Sequence, residues 1–170
     1  MTWDAYHRRK SALREVLAVA DRHRDDVDAA TLLDLVPQAR EAFETPDDLL
    51  RELQMAWFQQ LSGALDRAGA EGPVVEPEVA TLDAWESAAL TAPAVRRLLD
   101  RAGDDAPALA VGLDNERRLL AASAGRRGAS ALEDGERLRA AARDRTELPA
   151  PGDDDEARGL IARLRQALAA

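Results

Sequence analysis

No cysteine occurs among the 170 residues, which removes disulfides, thiol nucleophiles and thiolate metal sites together. Aromatic residues are scarce, at 4%, and of the 23 basic residues only Lys10 is a lysine. Few segments carry the β-branched and aromatic clusters that strands need. No apolar run approaches the roughly 20 residues that span a bilayer, and the first ten residues, MTWDAYHRRK, lack the apolar core of a signal peptide. Phosphate loops, Gly-rich dinucleotide fingerprints and serine elbows are missing as well. These absences set the expectation of a soluble cytoplasmic protein with no cofactor and no membrane partner. The net charge of −9 argues against binding to phosphate backbones or anionic membrane surfaces.

What is present is helix-forming. Hydrophobic residues make up 46% of the chain, and with so few aromatics much of that count is alanine. The pattern predicts an all-α fold: a single helical-bundle-like domain of about six helices, with a less ordered C-terminal third ending in an amphipathic helix. The expected divisions are a helical domain over residues 1–125, a weakly ordered segment and linker over 126–155, and the terminal helix over 156–170.

Residues 45–70 are the best-defined helix. Thr45 suits the cap, Pro46 the first helical position, and Asp47 and Asp48 the positive end of the helix dipole. Leu50, Leu53, Trp57, Leu61, Ala64, Leu65 and Ala68 fall on one face at helical spacing, with Phe58 at its edge. Gln54 lies inside that stripe and calls for hydrogen-bond partners. Gly63 suits a close helix crossing.

The first helix is predicted from residue 2 or 3 to about 22, on a line through Trp3, Tyr6, Leu13, Leu17 and Ala20 widened by Val16. Pro37 predicts a break near Val36 and a short helix after it, carrying Ala39, Ala42 and Phe43. Residues 69–80 read as a linker, followed by a helix capped at Thr81 with Leu82, Trp85, Ala89 and Leu90. Another follows Pro93, with Val95, Leu98, Leu99 and Ala102 inside and Gly103 as its stop. Asp104 or Asp105 is placed at the cap of the next, whose line runs Leu109, Leu113, Glu116 and Leu120 and ends at Gly125. A marginal helix is expected over residues 130–143. Residues 156–169 place Leu160, Ile161, Leu164 and Leu168 on one stripe behind a run of aspartates. Such a stripe docks on its own domain, pairs with a copy of itself, or enters a partner's groove.

Two surfaces are candidate partner contacts. One is the aromatic and basic start of the first helix: Trp3, Tyr6, His7, Arg8, Arg9 and Lys10. The other is the C-terminal stripe. The plainer reading of the first is a solvated face whose long basic stems cover apolar surface. Asp4 and His7 share a helix face at metal-ligand spacing, yet further carboxylates on core faces are wanting, apart from Glu116. Lys10 on an apolar line suits Schiff-base chemistry, although a surface lysine explains it more simply. The functional expectation is therefore a non-enzymatic adaptor or regulator acting through protein–protein contacts or self-association. A nucleic-acid-associated regulator using residues 7–10 and the arginine pairs Arg117–Arg118 and Arg126–Arg127 is the alternative. A small-molecule-binding or enzymatic helical domain is the weaker third.

Overall fold

Local signals set where each helix begins and ends. The computed structural model describes residues 3–23, 27–70 and 76–146. Among the described residues there are eight α-helices and no strand: α1 (Trp3–His23), α2 (Ala29–Leu35), α3 (Pro37–Ala42), α4 (Pro46–Ala70), α5 (Pro77–Thr91), α6 (Pro93–Ala102), α7 (Ala110–Ser123) and α8 (Ala131–Thr146). A 3-10 turn, Pro107–Leu109, leads into α7.

The Asp28 carboxylate accepts from the Thr31 N–H at 2.8 Å and so caps α2. That hydrogen bond holds Asp28 below the usual carboxylate pKa. Pro37 cannot continue α2, and Val36 takes extended backbone between α2 and α3. Thr45 Oγ1 accepts from the Asp48 N–H at 3.1 Å, as expected for the start of α4. Gly103 ends α6 at φ 79°, a left-handed conformation that glycine adopts without a Cβ clash.

α4 is the central element. It packs against α2, α5, α6 and α7. α1 covers α3, α6 and α2, while α8 lies along α7 and α5. Leu49, Leu53, Trp57 and Leu61 form the fully buried spine of α4.

Several boundaries and faces differ from expectation. α5 begins at Pro77, four residues before the anticipated cap. Thr81 is inside the helix and buried, its hydroxyl donating to the Pro77 carbonyl at 2.8 Å. Leu90 is 68% exposed, so the inner face of α5 is built from Ala84, Trp85, Ala88 and Ala89 instead. On α1 the buried line runs through Ala12, Val16, Val19 and Ala20, with Leu13 and Leu17 flanking it. Trp3 and Tyr6, expected on the same line, are turned outward.

α8 is more firmly built than its sequence suggests. Leu138 and Ala142 are buried, and so are Gly135 and Arg139. Gly135 is a close crossing: a methyl group there would stand 1.9 Å from the Arg117 carbonyl oxygen of α7. Gly63, expected in that role, meets only the Arg67 side chain at an ordinary 3.5 Å. Gly112 of α7 takes the place instead, against the Gln54 side chain. The Gln54 amide is buried with no hydrogen-bond partner among the described residues, and its side chain occupies the space a Cβ at Gly112 would take.

Candidate functional site

α1 presents the predicted aromatic and basic surface at its N-terminal end. Trp3 is 75% exposed and Tyr6 49% exposed. The His7 ring stands edge-on to both, 4.3 Å from Trp3 and 5.6 Å from Tyr6 between centroids. Trp3 and Tyr6 are 6.4 Å apart, so the three rings form one cluster. Arg8 and Lys10 are exposed beside it.

Arg9 is set apart from its neighbours. Its guanidinium donates to Asp48 at 3.0 and 3.2 Å, to Glu52 at 3.1 and 3.3 Å, and to the Ala42 carbonyl at 3.0 Å. It also lies 4.7 Å over the Phe43 ring. The hydrogen bond from Arg9 holds the Asp48 carboxyl below its usual pKa. Arg9 is therefore the anchor that fixes α1 to α3 and α4, and the rings project from a held helix. The other predicted contact surface, Leu160, Ile161, Leu164 and Leu168, lies outside the described residues.

A second concentration of chemistry lies inside the fold. Glu116 and Arg139 are both 0% exposed. Glu116 Oε1 accepts from the Trp85 indole N–H at 3.0 Å. Arg139 Nε approaches the same oxygen at 3.8 Å, and Arg96 Nη1 at 3.9 Å. The Arg96 guanidinium stacks 4.9 Å from the Trp57 ring and 5.8 Å from Trp85. The two indoles meet edge to face at 5.3 Å. Outward from this centre Arg139 makes a forked pair with Asp104 at 2.6 and 2.7 Å, and Arg96 pairs with Asp100 at 3.0 Å. Burial opposes the Arg139 charge, and the bonds to Asp104 with the charge of Glu116 outweigh it, so its pKa stays raised.

Glu116 is legible in the sequence as an acidic residue on a core line; nothing local marks Arg96 or Arg139. The available signal is the need of Glu116 itself, since a buried carboxylate requires a cation. Arg139 falls between Gly135 and Ala142 on the small-residue line of α8, where it reaches that carboxylate. Asp104, expected as a helix cap, serves as its outer partner. Glu116 and Arg139 are buried at the heart of this network, and its contacts join α5, α6, α7 and α8.

Asp104 gives this network a pH signature. The hydrogen bond from Arg139 outweighs partial burial and lowers its pKa from 3.8 to about 2. A carboxyl depressed on folding stabilises the fold above its unfolded pKa, and that contribution is lost as the pH falls through about 2. Its side chain is about a third exposed, so after solvent screening the contribution is about 1 kcal/mol. Urea titrations of wild type and Asp104→Asn should therefore differ at pH 7 and converge between pH 4 and pH 2. A difference that persists unchanged at pH 2 would contradict the assignment.

Of the basic pairs elsewhere, Arg117 and Arg126 are engaged within the fold, while Arg118 and Arg127 are exposed. Arg117 bonds Glu136 at 2.5 Å and Asp114 at 3.0 Å, and Arg126 bonds Glu78 at 3.0 Å. Among the described residues no group of three or more His, Asp or Glu is placed to hold a metal ion. No helix among them is long and apolar enough to cross a membrane. Beside the charged centre, a cleft of about 560 Å³ opens between the α5–α6 corner and α8, with Leu90, Pro93, Ala140 and Arg143 in its walls. Compared with protein-family models, with curated proteins and with solved structures, the chain has no match.

Proposed function

We propose that the protein is a non-enzymatic helical interaction module of the cytoplasm, an adaptor or regulator that engages a protein partner through the N-terminal end of α1. The observation that carries this reading is the exposed ring cluster of Trp3, Tyr6 and His7 on a helix anchored by Arg9. Rigid amphipathic rings supply contact area at small entropic loss, and tryptophan and tyrosine dominate the energetics of protein interfaces. Arg8 and Lys10 at the margin favour an acidic partner surface and raise the association rate. A phosphate backbone is the poorer candidate, because Arg9 is withdrawn from solvent and the chain is acidic overall.

The test is photo-crosslinking from a benzophenone amino acid at position 7 of the full chain, in extracts of its own cells. A discrete protein adduct is expected, reduced at least tenfold by Trp3→Ala with Tyr6→Ala, with the melting temperature of that double variant unchanged. Adduct formation indifferent to both substitutions would refute the surface. A mobility shift with a defined nucleic acid at physiological salt, abolished by Lys10→Glu, would transfer the reading to nucleic-acid recognition.

A further inference from the structure

α1 carries two lines of residues at helical spacing. Ala12, Val16, Val19 and Ala20 are buried and meet the chain's own helices. The other line runs Trp3, Tyr6, Lys10, Leu13 and Leu17, in steps of three, four, three and four residues. At about 100° per residue its centre lies roughly 120° around the axis from the buried line. Trp3, Tyr6 and Lys10 are exposed, and Leu13 and Leu17 are half-buried against the core.

Alternating steps of three and four are the spacing of a seam between paired helices. The Lys10 stem is apolar and its ammonium can reach the edge of such a seam, where a lone polar residue sets register. Arg14 is exposed on the flank of the same line. Neither Lys10 nor Arg14 makes an ion pair among the described residues, in contrast to Arg9, which Asp48 and Glu52 hold. The outward face of α1 is thus apolar along its line and positively charged at its middle. A second copy is a poor occupant. Lys10 stands midway along the line, so pairing in either direction would bring the two Lys10 side chains near one another, a like-charge contact. An anionic lipid surface is disfavoured by the net charge of −9.

We infer that the outward line of α1 is a seam for one amphipathic helix of a partner protein, apolar at the matching seam positions and acidic on its flanks beside Lys10 and Arg14. The inference deepens the proposed partner contact and rests on it. Trp3 and Tyr6 form one end of the seam, and Leu13 and Leu17 extend it to a length of about 20 Å at 1.5 Å per residue. Apolar seam positions supply the affinity, and the opposed charges fix orientation and exclude basic helices.

The probe is a labelled peptide of about three heptads with leucine at both seam positions and glutamate on both flanks, compared with the same peptide carrying lysine on the flanks. Fluorescence anisotropy with the full chain should show the glutamate peptide binding at least tenfold more tightly. Lys10→Glu with Arg14→Glu, both at exposed positions, should reverse that order while circular dichroism shows the fold retained. Leu13→Asp should weaken the glutamate peptide at least tenfold. If that variant disturbs the fold, Tyr6→Asp at an exposed position takes its place. Equal affinities, an order that the charge reversal leaves intact, or no binding of either peptide overturns the inference. A crosslinked adduct at position 7 that persists in that case would keep the partner contact and remove only its helical partner. Sedimentation showing a dimer that Tyr6→Asp dissolves would make the occupant a second copy and overturn the inference as well.

Discussion

Glu116→Leu is expected to lower the free energy of unfolding by about 3–5 kcal/mol, the penalty for stripping one partner from a buried charged group. The reason is asymmetry. Glu116 is an anion between the Arg96 and Arg139 side chains and the acceptor for the Trp85 indole. Without it, two buried guanidinium groups face one another and an indole N–H loses its acceptor. Asp100 and Asp104 neutralise the outer atoms of the arginines and cannot reach inward. Glu116→Gln keeps the shape and the acceptor, so it should lose less, about 1–3 kcal/mol. Removing both charges with Glu116→Leu and Arg139→Met should be milder than the sum of the single changes, with a coupling of about 1–3 kcal/mol in a double-mutant cycle. Urea unfolding monitored by circular dichroism measures all of these proteins. A Glu116→Leu midpoint equal to wild type would mean that the centre contributes nothing to the fold.

Trp57→Ala is the second large effect, again about 3–5 kcal/mol, from transfer and cavity terms together. Trp57 is fully buried at the middle of α4, against the Trp85 ring and under the Arg96 guanidinium. The substitution removes the indole from both contacts and leaves a hole between α4, α5 and α6. Its N–H has no hydrogen-bond partner among the described residues, so Trp57→Phe deletes an unsatisfied donor along with some volume. Phenylalanine should therefore lose well under half of what alanine loses. Near-ultraviolet circular dichroism adds a second readout, because the edge-to-face indole pair disappears in either variant. A melting temperature unchanged in Trp57→Ala would place this face of α4 outside the core.

The α4 face around Trp57 was legible because its apolar residues are large and regularly spaced. The starts and stops at Thr45, Pro37, Pro93 and Gly103 were legible because each rests on a local backbone constraint. What escaped was set by long-range fit. On α1 the predicted line ran through Leu13 and Leu17 and was widened by Val16, whereas the buried line takes in Ala12 and Val19 as well and leaves the two leucines at its flank. In α8, Gly135 reads as a weakness in a helix, and only the position of the Arg117 carbonyl turns it into a packing requirement. Arg139 reads as a surface charge until the Glu116 carboxylate appears opposite. Of the site on α1, the exposed rings were readable from sequence, while the commitment of Arg9 to Asp48 and Glu52 depended on how α4 crosses it.

The attachment of α8 has a thermal consequence. Arg139, Arg143 and Arg145 tie this helix to Asp104, Asp100, Asp83 and Glu86, with Arg117 of α7 reaching across to Glu136. Desolvating such groups becomes less unfavourable on warming, whereas the gain from apolar burial levels off. Heating therefore strengthens the hold on α8 relative to the mainly apolar contacts of α2 with α3 and α4. Thermal opening is therefore expected to reach α2 before α8, an order that hydrogen exchange followed over a temperature series would read out.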